Sequence, residues 1–175
     1  MPSQILPAVS TLSSLTVEER ATVLSHLFEP CQTLNELVVD DLGQKIFDSY
    51  NKVIEHVRSL LPSVQASGSH SVTERLLAAH PRLGAKRVES EHSKMEQASL
   101  AGSQAELEKL KQLNDEYEMR FQRMRYVVFV NGRSLPVMME NMRQRISRGD
   151  IETEKTEAIN AMCDIAADRA CKLAP

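Results

Sequence analysis

Residues 74–102 read ERLLAAHPRLGAKRVESEHSKMEQASLAG and contain the most unusual local pattern in the chain. His80 follows the apolar run 76–79 and directly precedes Pro81, and proline disfavours helical geometry in the residue before it. The sequence therefore predicts a helix that ends at His80 and leaves the imidazole at the helix end. Ser93, Glu96 and Gln97 follow at spacings i, i+3 and i+4, so on a helix they share one face.

The histidine and this polar face together suggest one shared pocket. Each feature also has a plainer structural interpretation. A histidine at a helix C-terminus can simply stabilise that end, and a Ser-x-x-Glu-Gln pattern also suits a solvated helix face. On local spacing alone, both interpretations stay open.

The composition favours an all-α fold. The chain has 175 residues, which is enough for one domain with a substantial core. Aromatic residues make up 4% of the chain, Trp is absent and there are 8 Met, whereas β-sandwich cores depend on aromatic and β-branched residues. We therefore expect a single-domain helical bundle with a core of aliphatic residues and Met.

Charge and cysteine usage exclude several classes of function. The net charge is −3 without a long basic block, so no nucleic-acid partner is expected. Cys31, Cys163 and Cys171 have no paired or zinc-like spacing, which predicts reduced thiols and no metal. Neither a signal peptide nor an apolar run of ~18 residues is present, so no membrane partner is expected. The predicted localisation is cytoplasmic or peroxisomal, although no terminal targeting signal is visible.

Helical periodicity divides the chain into a flexible lead-in, residues 1–13, and one helical domain, residues 14–175. Thr16 and Glu19 form a capping box for the first helix, and Pro62 is expected to end the strongest one. Helices are predicted over residues 17–28, 44–61, 72–79, 90–100, 104–123, 136–146 and 152–173. Residues 31–41 form either a short helix or a buried connection, and residues 63–71 an exposed loop.

Residues 126–130, Tyr-Val-Val-Phe-Val, are the only strand-like run by propensity. Since no second run offers a partner strand, we interpret them as a buried extended link between helices. A turn follows at residues 131–134. The predicted fold is an all-α bundle with one short irregular extended segment near residues 126–131.

Four motifs now occur in order along the chain: HPRLG at 80–84, SxxEQxxxAG at 93–102, LNxxYxxRF at 113–121 and FVNGRS at 129–134. With these motifs the chain resembles the family of 2-oxo-4-hydroxy-4-carboxy-5-ureidoimidazoline (OHCU) decarboxylases of urate breakdown. The resemblance covers residues 12–173 and is strongest over 74–134.

The resemblance implies an all-helical homodimer that acts on a small-molecule substrate without a cofactor. The implied reaction is the last step from urate to S-allantoin, in which OHCU loses carbon dioxide and the ring is protonated on one face. The decarboxylase would be a carbon–carbon lyase of purine catabolism.

The resemblance also assigns site residues. It places the catalytic roles on His80 and Glu96, with His80 as acid and base and Glu96 as the partner that orients the imidazole. The implied substrate-binding residues are Pro81, Ser93, Gln97, Val130, Asn131 and Arg133. The assignment of Arg133 is less direct, because many family members have an arginine immediately after the apolar segment, where this chain has Asn131.

Two alternatives remain open from the sequence. A non-catalytic helical interaction module could retain the fold, and the altered arginine region is its only support. A decarboxylase or hydrolase for a related ureido heterocycle would use the same residue types. Adding allantoin or a planar purine tests the first alternative. Specific binding raises the melting temperature of an enzyme that recognises such ligands, whereas a pure interaction module should not respond.

Overall fold

The computed structural model describes residues 5–66, 70–85, 91–98 and 100–175. Within these ranges the chain forms one 3-10 helix, Val9–Ser14, and eight α-helices, with no strand. The α-helices are α1 (Val17–Leu27), α2 (Gln32–Gln44), α3 (Tyr50–Ala66), α4 (His70–Ala78), α5 (Glu91–Gln97), α6 (Gln104–Arg120), α7 (Leu135–Arg148) and α8 (Ile151–Leu173). The all-α prediction is confirmed.

Side-chain caps determine where several helices begin. At α1, Thr16 Oγ1 accepts from the Glu19 N–H at 3.2 Å, and Glu19 Oε2 accepts from the Thr16 N–H at 2.8 Å. Ser103 begins α6 with an equivalent capping box. Asp150 caps α8 by accepting two backbone N–H bonds of 3.0 Å each. Such caps satisfy backbone donors that have no partner within the helix.

The prediction for residues 44–61 is wrong at both ends. Helix α3 begins at Tyr50, and Ile46, which lies in the predicted range, precedes the helix and is 90% exposed. The helix also continues past Pro62 to Ala66, because a proline removes only one backbone N–H and the remaining turns keep their bonds. Residues 63–66 and 70–71 are consequently helical, whereas residues 67–69 of the predicted loop lie outside the described ranges.

The N-terminal residues from 5 onwards pack on the bundle, in contrast to the expected flexible lead-in. Leu6 and Leu12 are each 1% exposed. The Leu6 N–H donates to the Leu173 carbonyl oxygen at 2.8 Å, which joins this segment to the end of α8. Residues 31–41, left open by the sequence, lie in or next to α2.

Helix α8 runs through the bundle and packs against α1, α3 and α4. Its inward residues include Ala158, Cys163 and Ala166, which are completely buried. Small side chains at these positions allow neighbouring helices to approach closely. The C-terminal half of α8 lies beside the end of α4 and beside α5, where the predicted site residues are found.

The extended segment 124–130 joins α6 to α7 and is held by side chains. Arg145 of α7 donates to the Val127 carbonyl at 3.0 Å and forms a buried ion pair with Glu154 of α8. The Tyr117 hydroxyl also donates to Glu154. The Arg145 guanidinium lies 4.7 Å from the centre of the Tyr126 ring. Because buried charges are tolerated only when paired, this network fixes the segment without a partner strand.

Candidate active site

His80 lies at the end of α4, as its position before Pro81 predicts. Its backbone N–H donates to the Leu77 carbonyl at 3.2 Å, and its own carbonyl accepts from Arg125 Nη1 at 2.7 Å. The residue is only 5% exposed. The backbone that carries the imidazole is therefore tied both to α4 and to the segment that follows α6.

Three side chains hold the turn that follows His80. Gln97 Oε1 of α5 accepts from the Gly84 N–H at 2.8 Å. Asn114 Nδ2 of α6 donates to the Leu83 carbonyl at 3.1 Å. Arg82 binds the Glu118 carboxylate through two hydrogen bonds of 2.7 Å each. Gly84 has φ of 72°, a left-handed conformation that suits glycine.

Arg169 of α8 organises the polar cluster behind the predicted helix face. Its Nε and Nη2 donate to the two oxygens of Glu96 at 2.6 and 2.9 Å, and Nη2 also donates to Glu29 at 2.8 Å. Ser93 Oγ donates to the same Glu29 carboxylate at 2.5 Å. One guanidinium thus faces two carboxylates, which leaves this cluster with an excess negative charge.

A cavity of about 220 Å³ opens between the His80 turn, α5, the extended segment and α8. Every residue predicted for the site except Arg133 lines it: His80, Pro81, Ser93, Glu96, Gln97, Val130 and Asn131. Asp168 and Lys172 of α8 line it as well, and Lys172 Nζ donates to Asp168 at 2.5 Å. The structure therefore brings the histidine and the Ser/Glu/Gln face to one cavity.

Within the described ranges, the extended segment contains backbone donors without a partner in residues that line the cavity. The carbonyl oxygens of Val127, Phe129 and Val130 accept from arginine side chains. Among the residues that the structure describes, none accepts a hydrogen bond from the N–H groups of residues 127–131. Free N–H groups beside a cavity can bind carbonyl or carboxylate oxygens of a ligand, because buried donors require partners.

The surroundings of His80 favour its neutral form. Burial lowers the pKa of the imidazole to about 4. The Glu29 carboxylate acts in the opposite direction and raises the pKa, while the guanidinium groups of Arg169 and Arg125 lower it further. A neutral imidazole at neutral pH can accept a proton from a bound molecule and return it later.

Glu96 and Arg133 make contacts other than those that their predicted roles require. Glu96 was expected to orient the imidazole, but its carboxylate is occupied by Arg169, and the carboxylate that acts electrostatically on His80 is Glu29. Arg133 was expected to bind the substrate, but its guanidinium donates to the carbonyls of Phe129 and Val130 and closes the turn at Asn131.

Glu29, Arg125 and Arg169 were not found by sequence reasoning. For Arg169 a signal exists: it lies at helical spacing from the buried residues Met162, Ile165 and Ala166, so a charged residue occupies the apolar stripe of α8. A charge at such a position requires a buried partner. Glu29 and Arg125 lie outside the helices, where periodicity carries no information.

The model of the OHCU decarboxylase family matches residues 13–171. The chain belongs to this family. A comparison with curated protein sequences finds no match. Among solved structures, the crystal structure of (S)-allantoin synthase superposes with a TM-score of 0.66 at 19% identity, over 96% of this chain and 54% of the other. The chain thus spans about half the length of that protein, and at this identity the likeness concerns the fold.

In the described parts of the chain, no group of three or more His, Cys, Asp or Glu side chains is arranged to hold a metal ion. None of the described helices has the length and apolar character needed to cross a membrane.

Proposed function

We propose that the protein decarboxylates OHCU to S-allantoin without a cofactor, as the last step of urate breakdown. The observation that carries this proposal is the buried His80 in a small cavity that residues 126–131 of the extended segment also line. Membership of the OHCU decarboxylase family supports the same reaction. The cavity is small and has both polar and apolar walls, which suits a ureido-substituted ring.

In the proposed reaction, His80 accepts the proton of the substrate hydroxyl while the bond to the carboxylate breaks. The electron pair of that bond passes into the adjacent ring C=N bond, and carbon dioxide leaves. The imidazolium then returns the proton to the ring carbon that bears the ureido group, and a solvent proton completes the ring N–H. Delivery from one side of the cavity gives one enantiomer.

The remaining residues bind and orient the substrate. The N–H groups of the segment ending at Val130 and Asn131 donate hydrogen bonds to the ring oxygens, which stabilises charge that develops on the ring. Ser93 and Gln97 bind polar groups of the ring and ureido arm, and Pro81 forms the wall beside His80. Glu96 acts together with Arg169 as a fixed charged pair at the edge of the site.

The decisive experiment is circular dichroism of a urate reaction supplied with urate oxidase and 5-hydroxyisourate hydrolase. Addition of the protein should give optically active allantoin rapidly. His80→Gln should reduce the rate by about 100-fold or more, the usual contribution of an acid–base group. His56→Gln is the matched control, since His56 pairs with Asp41 at 2.6 Å and does not line the cavity. Slow racemic product with the wild-type protein would refute the function.

As family members are homodimers, we also propose a homodimer, located in the cytoplasm or in peroxisomes. Light scattering on the purified protein tests the first point: a mass of about 19.6 kDa at all concentrations would show a monomer. Imaging of a tagged full-length protein tests the second.

A further inference from the structure

Arg125 connects two walls of the cavity. Its Nη1 donates to the His80 carbonyl oxygen at 2.7 Å, and in the chain it directly precedes Tyr126, the first cavity-lining residue of the extended segment 124–130. Arg125 itself does not line the cavity. Its contact is with the backbone of His80 and leaves the imidazole free.

The His80 carbonyl has few other sources of a hydrogen bond. The last carbonyls of a helix have no intrahelical donor, and the residue after His80 is a proline, which has no N–H to contribute to a turn. Within the described ranges, Arg125 is the one donor to this oxygen. Gln97 and Asn114 hold the far end of the turn, at Gly84 and Leu83. Arg125 therefore fixes the near end, where the imidazole is attached.

The charge of Arg125 acts on the same histidine. Glu29, between α1 and α2, favours the protonated imidazole, whereas Arg169 of α8 and Arg125 disfavour it. Other charged residues around the cavity are Glu96 of α5, which is paired with Arg169, and Asp168 and Lys172 of α8, which are paired with each other. Without Arg125, less positive charge would oppose the effect of Glu29, and the protonated form of His80 would become more favourable.

We propose that Arg125 is a positioning residue for His80, which holds the backbone of the turn that carries the imidazole. The inference rests on the proposed function, because the reaction begins with a neutral His80. A guanidinium is well suited to this role, because it remains charged and can reach a carbonyl while the rest of its side chain is half-buried.

The test compares Arg125→Gln and Arg125→Lys with the wild-type protein. Arg123→Gln is the control, since it removes the same charge from an exposed side chain two residues away. The first measurement is an NMR titration of His80 without substrate, with His80→Gln used to assign the resonance. The second is kcat and KM for OHCU over the pH range in which each variant stays folded.

In Arg125→Gln, the pKa of His80 should rise, and kcat should fall by about tenfold or more with a much smaller change in KM, since small misplacements of a reacting group reduce turnover strongly. Arg125→Lys keeps the charge, so the pKa should stay close to that of the wild type while kcat falls to an intermediate value. In Arg123→Gln, both quantities should match the wild type.

Equal His80 titrations and equal kcat values in Arg125→Gln and Arg123→Gln would overturn the inference. If Arg125→Gln does not fold, the inference is tested with Arg125→Lys. An unchanged kcat in Arg125→Lys then overturns the inference. The NMR titration requires no substrate. If the wild-type protein does not decarboxylate OHCU but Arg125→Gln still shifts the pKa of His80, the positioning role of Arg125 is supported. Only the proposed function is then rejected.

Discussion

Arg169 and Glu96 form a two-point ion pair, with Nε 2.6 Å from Oε1 and Nη2 2.9 Å from Oε2. The Arg169 side chain is 2% exposed and also binds Glu29 at 2.8 Å. The guanidinium thus separates two carboxylates that would otherwise face each other inside the protein. This arrangement gives Glu96 a fixed position at the cavity and makes Arg169 essential for the stability of the cluster.

Arg169→Leu should destabilise the protein by about 3–5 kcal/mol, because it leaves the buried Glu29 carboxylate and the partly buried Glu96 carboxylate without their cation. Urea denaturation at neutral pH measures the free energy of unfolding. Arg143→Leu is the matched control, since Arg143 pairs with Glu140 at 3.6 Å on the surface of α7 and should contribute only about 0–1 kcal/mol. Similar losses in the two variants would contradict the assigned role of Arg169.

The sequence predicted the all-α fold and most helix positions because caps and apolar periodicity are local properties. Thr16 and Glu19 illustrate this, as their capping box is formed as expected. The course of the chain around Pro62 was missed, since the packing of α3 outweighs the local preference of one proline. Propensity is a weak indicator where tertiary contacts compete with it.

Part of the candidate site could also be predicted, because helical spacing is a local property of the sequence. Ser93, Glu96 and Gln97 share a helix face, and the fold brings that face to His80. The partner of Glu96 could not be read from spacing, because Arg169 is 73 residues away in the chain. The orientation of Arg133 depends on the turn at Asn131, whose left-handed φ of 47° directs the following residues back to the segment.

Gly84→Ala should destabilise the protein more than Gly132→Ala. The two glycines have nearly equal φ, 72° and 71°, so each substitution costs about 1–2 kcal/mol of backbone strain. At Gly84 the new Cβ would also overlap Leu110 Cδ2, whereas at Gly132 it meets no atom within 4 Å. Thermal denaturation of both variants measures the difference. Equal melting temperatures would show that Leu110 moves aside without cost.

Lys172 should contribute more to substrate binding than Arg133. Lys172 lines the cavity beside Asp168, while Arg133 does not line it and is bound to the backbone carbonyls of Phe129 and Val130. A substrate carboxylate is attracted by a cation that it can reach, so Lys172→Gln should raise KM for OHCU severalfold with a smaller change in kcat. Arg133→Gln should change KM less. The reverse order would restore the role that the sequence suggested for Arg133.

Acid should destabilise the protein through His80. Its pKa is about 4 in the folded state and 6.5 in the unfolded chain, so the unfolded state binds the proton first as pH falls. The stability is therefore complete above pH 6.5 and is lost progressively down to about pH 4. From these values the loss due to His80 at pH 5 is about 2 kcal/mol.

The contribution of His80 can be isolated from that of two partly buried histidines. The pKa values of His26 and His92 are also lowered, mainly by burial, so they add to the acid sensitivity in both the wild type and a His80 variant. The free energy of unfolding is measured at pH 7 and at pH 5 for the wild type and for His80→Gln. The decrease in this free energy from pH 7 to pH 5 should be smaller in His80→Gln by about 2 kcal/mol. An equal pH dependence in both proteins would mean that His80 titrates in the folded state as it does in water, and a neutral imidazole would then no longer follow from its burial.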